Sequence, residues 1–170
     1  MFDQNWETAL FTEYQSTAAT IEAAKGAAMY SCFPGHNIEV RDVEQAYIQA
    51  DMQGTPVWIV LPEELWTTEM WAMHARGECL VVRLDKALYG HKNSGFDWQE
   101  FCDAACRDVG FELVGASWPS VYFHEATKVL LIVYVDDMLM SGPSHAFGPL
   151  WKALGEKIKL EEPPGKPQEE

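Results

Sequence analysis

The stretch 129–142, VLLIVYVDDMLMSG, restricts this chain more than any other. Two apolar runs flank Asp136-Asp137. That order reads as strand, turn, strand, because Asp carboxylates bond nearby backbone amides and the apolar runs suit a buried sheet. A β-hairpin with an acidic turn is the plainest reading. It carries a cost, since two adjacent carboxylates at the tip of an apolar hairpin repel each other. A divalent cation removes that repulsion. Hard ions such as Mg²⁺ take carboxylate oxygens, often only one or two, and keep positions for water and phosphate. A third carboxylate from another strand would complete a two-metal site for in-line phosphoryl transfer. Asp42, at the end of the strand-like IEVRD, is one candidate. Composition leaves Asp51 and Asp85 as competitors, and an Asp at a strand end is also a common helix cap.

Around the hairpin the chain reads as one mixed unit of helices and strands without an internal repeat. Residues 17–32 are rich in Ala with apolar residues at helical spacing and predict a helix, broken by Phe33-Pro34-Gly35. Residues 38–43, 57–61 and 80–84 read as strands, and 45–51 as one or two helical turns. Residues 94–109 give the clearest amphipathic helix, with Phe96, Trp98, Phe101, Ala105 and Val109 on its apolar side. Ser94 is its expected cap, with Asp97 reaching back, and Gly110 its expected end. Residues 111–114 and 121–124 are short strand candidates, and 143–155 a last helix. The stretch 161–170, EEPPGKPQEE, reads as a flexible tail.

The length of 170 residues suits one domain, and a hydrophobic fraction of 48% supplies a core. The formal charge of −14 taken alone argues against a nucleic-acid partner, because phosphate binding draws on a basic face. Cys32, Cys79, Cys102 and Cys106 form no CxxC pair and complete no zinc pattern. They read as buried free thiols of a reducing compartment. The acidic N-terminus is not a signal peptide, and the apolar run 129–135 is too short for a bilayer, so an intracellular chain without a membrane span is expected.

Several blocks, taken in order, resemble the reverse transcriptases of copia-type retrotransposons. YVDD, Tyr134 to Asp137, resembles their catalytic hairpin. RDVEQAYIQADMQG, from Arg41, is similar to their first catalytic segment, and PVWIVLPEELW, from Pro56, to the strand and proline turn that follow. VVRLDKALYGHKNSGFDWQEF, from Val81, is similar to their Leu-Tyr-Gly-Leu-Lys-Gln segment and its helix, and WPSVYFHE, from Trp118, to the stretch before the hairpin. The ordered match runs from about residue 11 to residue 155.

The resemblance implies an α+β palm, an antiparallel sheet with helices packed on one face, over residues 1–160. It implies RNA-directed DNA polymerase activity, with Asp42, Asp136 and Asp137 as ligands of two Mg²⁺, Mn²⁺ being an alternative, and the Val43 carbonyl as a further oxygen. Tyr47 matches the aromatic that excludes a ribose 2′-hydroxyl, and it also reads as a core aromatic. Tyr134 and Val135 fall near the primer end and the incoming sugar. Tyr89, Gly90 and Lys92 fall among the template and nucleotide contacts. The implied partners are an RNA or DNA template with its primer, deoxynucleoside triphosphates, and the remainder of a retroelement polyprotein.

Two departures set a second expectation beside the first. After Tyr89-Gly90 the family reads Leu-Lys-Gln-Ala-Pro-Arg, and this chain reads His91-Lys92-Asn93-Ser94-Gly95-Phe96. Before Asp42 the only basic residues are Lys25 and Arg41, so the basic fingers read as incomplete and a thumb as absent. A catalytically inactive retroelement relic, serving as a folded scaffold or binding module, is the alternative reading. An unrelated metal-dependent phosphatase or nuclease is a third, which the ordered blocks disfavour.

Overall fold

The computed structural model describes residues 18–161. The expected tail 161–170, apart from Glu161, and the first residue of the expected helix 17–32 lie outside that range.

Five strands form one antiparallel sheet: β1 (His36–Asp42), β4 (Glu112–Gly115), β5 (Trp118–His124), β6 (Val129–Tyr134) and β7 (Asp137–Pro143). Their spatial order is β1-β7-β6-β5-β4. The expected hairpin is β6–β7, at the centre of the sheet. Both strands are buried on both faces for most of their length, which explains their nearly unbroken apolar sequence. Residues 46–109 form an excursion between β1 and β4. It contains α2 (Ala46–Gln49), a small antiparallel pair of β2 (Val57–Ile59) and β3 (Val82–Leu84), α3 (Thr68–Ala75), and the long α4 (Ser94–Val109).

Alternation along the strands divides the apolar residues between two cores. Leu131, Val133, Met138 and Met140 face one way, onto Trp98, Cys102, Ala105 and Cys106 of α4 and Phe147, Leu150, Trp151 and Leu154 of α5 (Phe147–Gly155). Val121 and Ile132 face the other way, onto Ala23 and Ala27 of α1 (Ile21–Ser31). The sheet is therefore covered on both faces, not on one as expected. The reason lies in α1. Its buried contacts are alanines one turn apart, small enough for the helix to lie close to the strands. The Ser141 hydroxyl donates to the Ala27 carbonyl at 2.7 Å, and the Tyr30 hydroxyl to the Lys128 carbonyl at 2.8 Å. A Cβ added at Gly142 would lie 2.8 Å from the Lys128 carbonyl oxygen, so this crossing needs glycine.

The expected helix 17–32 is α1, which starts later, at Ile21, because Thr20 takes the cap position. Thr20 caps α1 by accepting from the Ala23 amide at 3.3 Å. Gly110 ends α4 at φ 99°, as expected. Ser94 does not cap α4. Asn93 holds the cap position, and the Ser94 hydroxyl instead donates to the Leu88 carbonyl at 2.7 Å and accepts from the Leu88 amide at 3.0 Å. This ties the start of α4 to the preceding loop. Asp97 consequently does not reach back to a cap. Cys102 and Cys106 are buried free thiols, whereas Cys32 and Cys79 are exposed, because they lie at the end of α1 and in the loop before β3. Helix α3 had no clear sequence signal. Among the described residues, no helix is long and apolar enough to cross a membrane.

Candidate active site

β1 and β7 are adjacent, and their register places Asp42 opposite Asp137. Such partners sit about 4.5–5.5 Å apart at Cα with side chains on the same face. The same register pairs Val40 with Leu139 and Ile38 with Ser141, so both aspartates share the face that α1 covers further along. At the aspartate end that face is open: Val40 is 57% exposed and Tyr134 55%. Tyr134 pairs with Asp137 across the hairpin, so its ring stands on this face too.

The backbone around the aspartates is fixed from three sides. The Val43 amide donates to the Asp136 carbonyl at 2.7 Å, the Glu161 amide to the Asp42 carbonyl at 2.8 Å, and the Trp98 indole N–H to the Val135 carbonyl at 2.7 Å. Tyr134 and Asp137 pair directly, which leaves Val135-Asp136 as a two-residue loop. Val135 has φ 56° and Asp136 does not have a positive φ, the pattern of a type II′ turn, whose first loop residue is normally Gly. A β-branched residue in this region is strained, and the strain persists because the Trp98 hydrogen bond and the flanking strands hold it.

The Asp137 carboxyl is raised above its ordinary range. Burial contributes most, followed by a hydrogen bond with the Asp42 carboxyl and the charges of Asp42 and Asp136. Every side-chain charge acting on it is negative. Such a group of acids gains from a cation, which takes the place of the shared proton. As the side chains stand, no group of three His, Cys, Asp or Glu among the described residues is close enough to hold a metal. Asp42 and Asp137 meet, and Asp136 contributes its charge from the exposed turn.

Burial chiefly raises the phenol of Tyr47, half-buried on α2, with Tyr89 and the Asp136 charge adding to it. Its ring lies 4.5 Å from that of Tyr89 between centroids, at 54°. Gly90, at φ 90°, turns the chain after Tyr89. Exposed Lys92 follows; burial chiefly lowers the neighbouring His91 imidazole, with Asp97 opposing and Lys92 adding to it. Behind the turn, Tyr47, Trp98, Tyr122 and Val135 line a cavity of about 50 Å³. That volume holds a water or two and no nucleotide. A large substrate must therefore approach the aspartates from the open face.

A family model described as reverse transcriptase (RNA-dependent DNA polymerase) matches residues 7–162. The chain belongs to the reverse transcriptase family. It is similar to the retrovirus-related Pol polyprotein from transposon TNT 1-94 of Nicotiana tabacum, with 28% identity over 109 residues, 62% of this chain. The match covers 8% of that polyprotein, so the chain spans a small part of its relative. Together the family match and this relative make it a copia-type retrotransposon reverse transcriptase sequence.

In this reverse transcriptase the three candidate third carboxylates have different surroundings. Asp51 pairs with Lys86 and Asp85 with Arg83, both on the surface of the excursion, whereas Asp42 meets Asp137. Sequence reasoning placed Trp98 only on the apolar side of a helix. It missed its indole N–H, which reaches a carbonyl 37 positions away in the turn. The signal was present in part, as a Trp on a buried helix face needs an acceptor for its N–H. The identity of that acceptor depends on tertiary structure.

Proposed function

We propose that this chain is the palm of an RNA-directed DNA polymerase, with Asp42, Asp136 and Asp137 as the carboxylates of its catalytic centre. The observation that carries the reading is the Asp42–Asp137 pair, set opposite each other by strand register on an open face, where the Asp42 carboxyl helps to raise that of Asp137. Two carboxyl groups so placed suit hard divalent ions, Mg²⁺ first and Mn²⁺ second, with the Asp136 carboxylate and the Val43 carbonyl as nearby oxygens. Bound there, two such ions would supply an activated primer 3′-hydroxyl and a neutralised triphosphate. In the transfer, the 3′-oxygen forms a bond to the α-phosphorus, the bond to pyrophosphate breaks, and the hydroxyl proton leaves to solvent.

The chain's own residues would position the reactants. The exposed Tyr134 ring, beside the pair, supports the primer end. Val135, held by Trp98, sets the hairpin tip against the incoming sugar. Tyr47 fills the space where a 2′-hydroxyl would sit, which favours deoxynucleotides. Tyr89, Gly90 and Lys92 form the adjoining nucleotide and template contacts. The template, primer and remaining polyprotein segments are the partners this reading requires.

A second reading, a retroelement-derived scaffold without catalysis, is favoured by the charge of −14 and by the absence of a closed three-ligand cluster among the described residues. Primer extension on a poly-rA template with an oligo-dT primer and Mn²⁺ separates the two. The palm reading expects deoxynucleotide incorporation that falls by about 10²–10³-fold or more in Asp136→Asn, the scale of losing one electrostatic contributor. A folded chain that leaves the primer unextended, or incorporation equal in the variant, would support the scaffold.

A further inference from the structure

A second carboxylate site lies beside the first turn of α4. Asp97, in the first turn of that helix, is only 3% exposed. Neither of its carboxylate oxygens has a hydrogen-bond partner. Buried carboxylates without partners are rare in native proteins and call for a ligand, a water or an ion. Asp97 lines a cavity of about 470 Å³ together with Asp51, Gln53, Phe96, Glu100 and Phe101. Exposed Glu100 gives the cavity an acidic rim, exposed Asp51 is paired with Lys86, and the half-buried Phe96 and Phe101 supply aromatic walls. Burial raises the Asp97 carboxyl; the nearby Gln53 amide and His91 act in the opposite direction without overcoming it. The Gln53 backbone amide lies near the carboxylate but outside hydrogen-bond geometry, so both oxygens still lack a donor.

A buried carboxylate, an acidic rim and aromatic walls together select a planar organic cation. Guanidinium offers several N–H donors in one plane, pairs in bidentate fashion with a carboxylate, and stacks on phenyl faces. A bare metal ion suits the cavity less well, because no three acidic, His or Cys groups among the described residues converge closely enough to ligate one. We propose that this cavity binds a guanidinium-bearing ligand, with Asp97 as its anion, Glu100 at the rim and Phe96 and Phe101 as stacking walls. The same chemistry has two sources, an arginine side chain of another polypeptide segment or a free small cation. The site is separate from the Asp42–Asp137 pair, so its occupancy does not depend on the polymerase reading.

The test is calorimetric titration of the whole chain with three probes: N-acetylargininamide, a Gly-Arg-Gly peptide blocked at both ends, and N-acetylcitrullinamide. Citrulline keeps the shape and removes the charge. The expected result is saturable binding of both arginine probes, at least about tenfold weaker with citrulline and at least about tenfold weaker in Asp97→Asn, the loss of one charge-assisted pair. Tighter binding of the peptide points to a polypeptide source, and equal or tighter binding of the amide to a free cation; either supports the site. Glu100→Gln, on the exposed rim, should weaken binding less and serves if Asp97→Asn does not fold. Asp137→Asn should leave binding unchanged, which separates this site from the catalytic reading. Failure of wild type to bind either arginine probe, equal binding of citrulline, or unchanged binding in both cavity variants would overturn the proposal.

Discussion

The tip of the β6–β7 hairpin and the cavity beside α4 each hold a carboxyl raised chiefly by burial, and they differ in what surrounds it. Asp137 lies among other carboxylates and shares a hydrogen bond with Asp42. Asp97 has no hydrogen-bond partner, and its charged or polar neighbours lower its pKa instead of raising it. The first site has an excess of acceptors and calls for a cation shared among them. The second has one acceptor that lacks a donor. Burial thus raises both carboxyls, reinforced by the neighbours at Asp137 and opposed by them at Asp97, and the neighbouring residues tell the sites apart where the direction alone does not.

Trp98 joins the two regions, since it follows Asp97 on α4 and its indole N–H holds the Val135 carbonyl. Trp98→Ala should have the largest effect on stability, about 3–5 kcal/mol for an emptied buried aromatic site. Chemical denaturation measures it. A loss under about 1 kcal/mol would mean that helix and hairpin are not coupled through this residue.

Asp97→Asn should act in the other direction. In the folded chain Asp97 keeps its proton to a higher pH than in the unfolded chain. Its contribution is therefore least unfavourable at low pH, and stability is lost as pH rises from its ordinary range through the raised one. The groups acting on it or lining its cavity are His91, Gln53, Asp51 with its partner Lys86, and Glu100. Replacing the carboxylate should raise stability by about 1–3 kcal/mol at neutral pH, the cost of an unpaired buried group. The difference should close as pH falls well below about 4, the ordinary Asp range, where the carboxyl is protonated in both states. Melting curves across that range test it, and a gap independent of pH would break the contrast with Asp137.

Val135→Gly sharpens the comparison at the hairpin. Glycine adopts φ 56° without penalty, so the variant should gain about 1 kcal/mol if the observed conformation stores strain. A loss of stability on denaturation would show instead that the valine side chain, half-buried against the cavity behind the turn, contributes more by packing than its backbone costs.

The hairpin was legible because two short apolar strands closing on two aspartates leave few alternatives. α4 was legible because its apolar residues recur at helical spacing. The face covered by α1 was not, since Ala23 and Ala27 resemble the alanines around them and only the approach to Ser141 and Gly142 selects them. The meeting of Asp42 with Asp137, which neither Asp51 nor Asp85 shares, depended on strand register, which links positions almost a hundred residues apart. Burial of Asp97 was hidden for a related reason. An Asp in the first turn of a helix is ordinarily a solvated residue favoured by the helix dipole, and here the excursion before α4 folds over it.

The central claim is that Asp42, Asp136 and Asp137 together bind divalent ions. Titration of the chain with Mn²⁺, followed by loss of the free-ion paramagnetic resonance signal, tests it most directly. The expected result is saturable binding approaching two ions per chain, displaced by Mg²⁺, and strongly weakened in Asp42→Asn and Asp137→Asn alike. Mn²⁺ left free in the presence of folded chain, or bound equally by both variants, would contradict it.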